Sequence, residues 1–242
     1  MVLNFAFRRA SVLAFSIATF GLPAVAGAIT FNLNGVSNAS GNNLSAQAIF
    51  TVSGSTLTIV LTNTASTAAM NGADVLDGLY FDISGTNPVF SAGNAALTAG
   101  SSFVLMNNAP TSGNPLNDEW MFDSPVPALG SEYGVGSTGF PGFNTNNDTF
   151  TEVFWAGNAM AGANDDYGLV PTAGITVGSP TNVYVNNSVT FTFTLSSAIS
   201  ESDIENVMVS YGSDGQTVVP EPATFAAIGI GALGLLRRRA KK

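Results

Sequence analysis

The 242-residue chain has no cysteine and no histidine, and no lysine or arginine anywhere between Ala10 and Leu236. Each absence closes a class of chemistry. Without cysteine there are no disulfide staples, no thiolate nucleophile and no thiolate metal site. Without histidine the commonest general base and a principal zinc ligand are missing, and the lack of internal lysine removes the usual substitute base for a serine nucleophile. Without internal cations the chain cannot neutralise phosphates, so nucleic acid is excluded as a partner. What the middle has instead is acid. Every Asp and Glu except Glu221 lies between Ile29 and Val219, so this stretch is more acidic than the overall net charge of −9 conveys. Such a surface repels anions and draws cations.

The basic residues sit at the two extremes, Arg8 and Arg9 at one end and Arg237, Arg238, Arg239, Lys241 and Lys242 at the other. Each set flanks an apolar run. Residues 1–28 have the order of a secretory signal: Arg8 and Arg9, the apolar stretch Ala10–Leu22, a helix-breaking Pro23, then small-residue cleavage sites after Ala26 or Ala28. Signal peptidase is the partner this implies. A missing disulfide framework does not argue against export, because a domain of about 190 residues can bury enough core without one. At the other end, Ala223–Leu236 carries no charge. As a helix it spans roughly 21 Å, short of the roughly 30 Å hydrocarbon core, but local thinning and snorkelling by Arg237–Arg239 let it insert. The positive-inside rule then makes Arg237–Lys242 a cytoplasmic basic stop and places the domain outside.

Pro220-Glu221-Pro222, the Gly/Ala-rich apolar run that follows and the terminal basic cluster together resemble a PEP-CTERM sorting signal. The resemblance covers the last stretch of the chain, residues 218–242. It implies that Pro220, Glu221 and Pro222 mark where an exosortase, an integral-membrane enzyme, processes the protein. It also implies a Gram-negative host that exports polysaccharide, an intermediate anchored in the inner membrane, and delivery to the cell surface or extracellular matrix. Exopolysaccharide is then a candidate partner, and biofilm a candidate setting.

Between the two ends, residues 29–217 show period-2 alternation. Val189, Phe191, Phe193 and Leu195 fall on one face, with Thr190, Thr192 and Thr194 on the other; Leu57, Ile59 and Leu61 oppose Thr56, Thr58 and Thr62. Leu79, Phe81 and Ile83 alternate with Tyr80, Asp82 and Ser84. This pattern predicts half-buried antiparallel strands, one face on a core and one in water. Residues 45–62 read as a hairpin about Ser53-Gly54-Ser55, Ile204–Gly212 reads as a late strand, and Ser196–Asn206 has room for a short helical turn. Asn107–Pro171 is the least regular region and reads as long loops. The expected fold is all-β, an antiparallel β-sandwich or jelly-roll-like domain flanked by the signal helix and the C-terminal transmembrane helix. The strand-rich pattern and the segment Asp203–Gly215 are similar to exosortase-dependent surface proteins, a similarity that implies a sandwich and no active site.

No catalytic residue is expected, since only carboxylates remain as titratable side chains for catalysis at neutral pH. Glu119 beside Trp120, Glu132 beside Tyr133 and Glu152 near Trp155 pair acids with aromatics, as carboxylate-dependent glycosidases do, but that mechanism needs two carboxyl groups at a set separation. Structural calcium is the better-supplied chemistry, with Asn164, Asp165 and Asp166 between glycines as candidate ligands and Asn144–Asp148 as a second cluster. Neither is an EF-hand loop. Trp120, Trp155 and Tyr167 are candidate sugar-stacking rings. The expected role is structural or adhesive, without turnover. The alternatives are a calcium- or glycan-binding module and, further off, a glycosidase.

Overall fold

Alternation that continues long enough to pair on both sides builds a sheet, and two such sheets meet here. The computed structural model describes residues 27–85, 87–105, 116–117, 120–126, 130–137, 167–176, 183–212 and 216–219. The strands are β1 (Ala28–Val36), β2 (Asn43–Ser53), β3 (Thr56–Asn63), β4 (Leu76–Ile83), β5 (Phe90–Leu97), β6 (Ser102–Leu105), β7 (Trp120–Asp123), β8 (Tyr133–Ser137), β9 (Leu169–Val170), β10 (Val183–Asn186), β11 (Ser188–Leu195), β12 (Ile204–Tyr211) and β13 (Gln216–Val218). One sheet has the order β1-β2-β3-β11-β5. The other runs β13-β12-β4-β9-β10-β6, with β8 also on β4 and β7 on β8.

The first sheet follows the alternation closely. In β11, Val189, Phe191, Phe193 and Leu195 are buried; β3 buries Leu57, Ile59 and Leu61. The β2–β3 hairpin closes from Ser53 to Thr56, and Gly54 at φ 61 supplies the left-handed first position that its two-residue turn requires. The inner faces of the two sheets share one core. Phe50 of β2 meets Phe81 of β4 edge-on at 5.2 Å, and Phe191 of β11 packs against Trp120 of β7 at 5.1 Å. The short helical turn expected near Ser200 is present as the 3-10 turn Glu201–Asp203, closed by a capping box between Ser200 and Asp203.

Several expectations are corrected. The second sheet is mixed, because β9 pairs β10 in parallel, with Leu169 opposite Val185. The 171–182 crossover is long enough to bring the chain back in the same direction, which a tight hairpin cannot do. The meander β1-β2-β3 keeps three consecutive strands in one sheet, unlike the strand alternation of a jelly roll. Strand β4 is not half-wet, since Tyr80 on its outer face is fully buried. Glycines make that possible. A methyl group on Gly134 would lie 2.7 Å from Tyr80 Cδ1, and one on Gly78 would lie 2.6 Å from its hydroxyl. The irregular region also contains β7, β8 and β9.

The expected transmembrane helix, Ala223–Leu236, lies outside the described residues, as does the expected signal peptide 1–28 except for Gly27 and Ala28. Among the described residues no helix is long and apolar enough to cross a membrane. The strands reach one residue beyond the 29–217 segment at each end. Ala28 is already in β1, opposite Thr51, and Val218 is the last rung of β13, opposite Val209.

Candidate functional site

Among the described residues four features combine charge, burial and position: a carboxylate-bearing cleft, a buried aspartate that ties two loops, a polar cluster about Asp77, and the junction where β13 hands over to the C-terminal segment.

The cleft, about 530 Å³, opens where the lead-in to β5, the end of β7 and the start of β8 converge. Its floor is aromatic. Phe90 stacks on Phe122 at 4.6 Å and lies 4.8 Å from Tyr133. Its polar groups are Asn87, Ser124 and Glu132. Glu132 is held on both sides: its N–H donates to Asp82 Oδ1 at 2.8 Å, and its Oε2 accepts the Ile83 N–H at 3.3 Å. Asn206 Nδ2 donates to the other Asp82 oxygen at 2.7 Å. Tyr133 donates to the Pro88 carbonyl at 3.3 Å, and its phenol is pushed up to about 12 by burial, with the charges of Glu132 and Asp82 adding to it. Beside the cleft, burial pushes the Asp123 carboxyl up, against a hydrogen bond from the Ser124 N–H at 2.7 Å. Phe90, Phe122 and Tyr133 are buried against one another, so among the described residues the cleft offers hydrogen-bonding edges at its rim rather than an open aromatic face.

Asp74 is 3% exposed. Its Oδ1 accepts from Ser40 Oγ at 2.5 Å, and its Oδ2 from Asn42 Nδ2 at 2.8 Å and the Met70 N–H at 2.9 Å. Burial works against its charge, but the bonds from Ser40, Met70, Ser37 and Asn42 outweigh it and hold the carboxyl below its ordinary range. The carboxylate joins the β1–β2 turn to the loop before β4. Met70 is near in sequence, but no local pattern announces the tie to the β1–β2 turn, since Ser40 and Asn42 lie 34 and 32 residues away.

On the outer face of the second sheet a polar cluster surrounds Asp77, which accepts from Ser210 Oγ at 3.1 Å. Burial pushes the phenols of Tyr80 and Tyr211 well above their ordinary range, and the Asp77 charge adds to both. A hydrogen bond with Ser210 opposes the shift at Tyr80.

At the junction, Val218 is buried against β1; a methyl on Gly35 would lie 2.9 Å from its Cγ2. Gln216 clamps the β1–β2 turn, its Oε1 accepting the Asn38 N–H at 2.8 Å and its Nε2 donating to the Val36 carbonyl. Val219 is 61% exposed. Pro220 and Pro222, which follow in the sequence, lack the backbone N–H that a ladder needs.

The candidate residues divide accordingly. Trp120 is fully buried, donates its indole N–H to the Tyr167 carbonyl at 3.0 Å and packs on Phe191. Tyr167 is 4% exposed. Both are core side chains, which corrects their reading as sugar platforms: a stacking ring needs an open face, and theirs are covered. Glu132 and Tyr133 share the cleft. Glu119, Glu152, Trp155, the calcium candidates Asn164, Asp165 and Asp166, the tripeptide Pro220, Glu221 and Pro222, and the basic residues Arg237–Lys242 lie outside the described residues. Among the described residues no group of three or more acidic side chains is arranged to hold a metal ion.

Residues 218–240 match the PEP-CTERM protein-sorting motif. No curated protein and no solved structure matches the chain. The motif marks an exported protein sorted to the cell envelope or surface and processed by exosortase. Its first residue is the last rung of the folded domain.

Proposed function

We propose that this chain is the precursor of a non-catalytic surface or matrix protein, whose β domain is a sandwich with a structural or adhesive role in the exopolysaccharide or biofilm of a Gram-negative bacterium. Signal peptidase removes the leader after Ala26 or Ala28, the C-terminal apolar segment holds the domain on the inner membrane, and exosortase acts at Pro220-Glu221-Pro222. The observation that carries the reading is the sorting motif starting at Val218, the last residue of β13. Supporting it, residues 27–219 contain no Lys, Arg or His, which leaves the domain's carboxylates without the usual partner bases for acyl or phosphoryl chemistry. Replacing Pro220, Glu221 and Pro222 by Ala, Gln and Ala tests the reading. The altered protein is expected in the membrane fraction with its C-terminal segment attached; release to the surface at the normal rate contradicts it.

A second reading has one observation in its favour. The cleft presents Asn87, Ser124 and Glu132 at its rim, hydrogen-bonding groups of the kind that grip sugar hydroxyls. Binding of a polysaccharide on a glycan array, abolished by Glu132→Gln, would support a glycan-binding module over a purely structural one.

A further inference from the structure

We infer that cleavage of the leader after Ala26 creates the only basic group in the exported domain, the Gly27 α-ammonium, and that Glu201 is placed to bind it. The inference rests on reading residues 1–28 as a secretory signal.

The carboxylate is fixed before the amine exists. The turn Glu201–Asp203 is locked by the Ser200–Asp203 capping box, and Glu201 Oε1 accepts the Val52 N–H of β2 at 3.1 Å. Thr51, the neighbour of Val52, pairs with Ala28 at the start of β1. This sets the carboxyl group over Gly27. A methyl built on Gly27 would stand 3.3 Å from Glu201 Cδ and from both of its oxygens. In a free N-terminal glycine the amine is held only by rotation about the Cα–C bond. A third of a turn carries it into the place that methyl would occupy, and N–Cα, at about 1.46 Å, is close to a carbon–carbon bond in length. The ammonium then lies within ion-pair distance of both carboxylate oxygens. A side chain at position 27 would crowd that space.

The register selects between the two cleavage sites that the leader offers. Cutting after Ala28 removes the Ala28–Thr51 rung and displaces the new amine along β1. Cutting after Ala26 leaves β1 whole. In that hydrolysis water adds to the Ala26 carbonyl and the Ala26–Gly27 amide bond breaks. Ala26 leaves on the leader as a carboxylate carrying the water oxygen, and the Gly27 nitrogen, which has one proton in the amide, takes both protons of the water to become an ammonium.

The electrostatic setting is one-sided. Glu201 and Asp203 come from the turn and Glu205 from β12, while β1 and β2 carry no ionisable side chain. Nothing else in residues 27–219 competes as a cation. The pair is partly exposed, so it is screened by salt. Its charge stabilises the fold below the amine's ordinary pKa, and that stabilisation is lost as pH rises through the raised value in the folded protein.

The test uses the mature protein purified from the organism that makes it, with the terminus read by mass spectrometry and the α-amine of the first residue titrated by NMR on material labelled at both glycine and serine. Three forms are compared: the natural protein, Glu201→Gln, and one with a serine inserted between Ala26 and Gly27, which keeps Glu201 but moves the ammonium one residue away. The expected result is a chain starting at Gly27 whose amine titrates above the ordinary 7.7–8.0 of about such groups. Both altered proteins return it to that range, and high salt reduces the shift. If Glu201→Gln does not fold, the insertion decides. A mature chain starting at Ile29, or a Gly27 amine in the ordinary range, overturns the inference and leaves export standing; a chain retaining Met1 overturns both.

Discussion

Replacing Asp74 by asparagine keeps the shape of the side chain and removes its charge. In the natural protein that carboxylate accepts from Ser40 at 2.5 Å, Asn42 at 2.8 Å and the Met70 N–H at 2.9 Å. A hydrogen bond to a charged group is worth about 1.5–3 kcal/mol against about 0.5–1.5 for a neutral one, so each loses about 1 kcal/mol. Asparagine can keep its oxygen toward Asn42 and Met70 and turn its amide toward the Ser40 hydroxyl, which reverses to accept. Because Ser40 and Asn42 are only half-buried, the lower part of the range applies, giving about 2–3 kcal/mol in all. For a domain of this size that is a fall in Tm of about 4–12 °C at pH 7. The pH dependence carries the cause. The Asp74 carboxyl titrates below its ordinary value when folded, so its contribution is present above the unfolded pKa and lost as pH falls through the folded one. The Tm gap between the natural protein and Asp74→Asn, measured by circular dichroism, is therefore full at pH 7 and closes in the acid range below the ordinary Asp value. Equal Tm at pH 7, or a gap that persists undiminished in strong acid, would refute the assignment of the effect to the charge.

Trp120→Ala removes a fully buried ring and is expected to cost about 3–5 kcal/mol, seen as a large loss of Tm, with any glycan affinity of the folded fraction unchanged. In alkaline titration followed by tyrosinate absorbance, Tyr80, Tyr133 and Tyr211 stay neutral through the ordinary range near 10, Tyr133 until about 12. Because these phenols are raised, their contribution to stability is whole below 10 and declines as pH climbs beyond it, so their ionisation accompanies unfolding. Calcium at Asn164, Asp165 and Asp166, which we propose as a structural site, predicts a rise in Tm with millimolar calcium that sodium at equal ionic strength does not reproduce; equal effects would reduce it to screening.

What local pattern can carry was legible in the sequence. The alternation in Val189–Leu195 and Thr56–Thr62 names the buried face of β11 and β3 residue by residue, and Ser200-Glu201-Ser202-Asp203 is a readable capping signature. The sorting motif was legible because its three parts are contiguous. Strand β8, Tyr133-Gly134-Val135-Gly136-Ser137, was not, because two of its five residues are glycines that register in no hydrophobic pattern. Those glycines matter for the same reason they hide: the space beside Gly134 is where Tyr80 goes, which also misled the reading of β4 as half-wet. Trp120 and Tyr167 read as loop aromatics because the rings that cover them, Phe191 and Phe103, are far away along the chain. Asp74 ties in the β1–β2 turn through Ser40 and Asn42, 34 and 32 residues away, and Glu201 reaches Val52, 149 residues away, distances no window spans.

The central claim, that both ends of the chain are removed as the domain leaves the cell, is tested most directly by mass spectrometry of the protein recovered from the surface fraction of the organism that makes it. The account predicts one species beginning at Gly27 and ending at or beside Pro220–Pro222, without Arg237–Lys242. A full-length species in the cytosol, with Met1 and Lys242 both present, would contradict it.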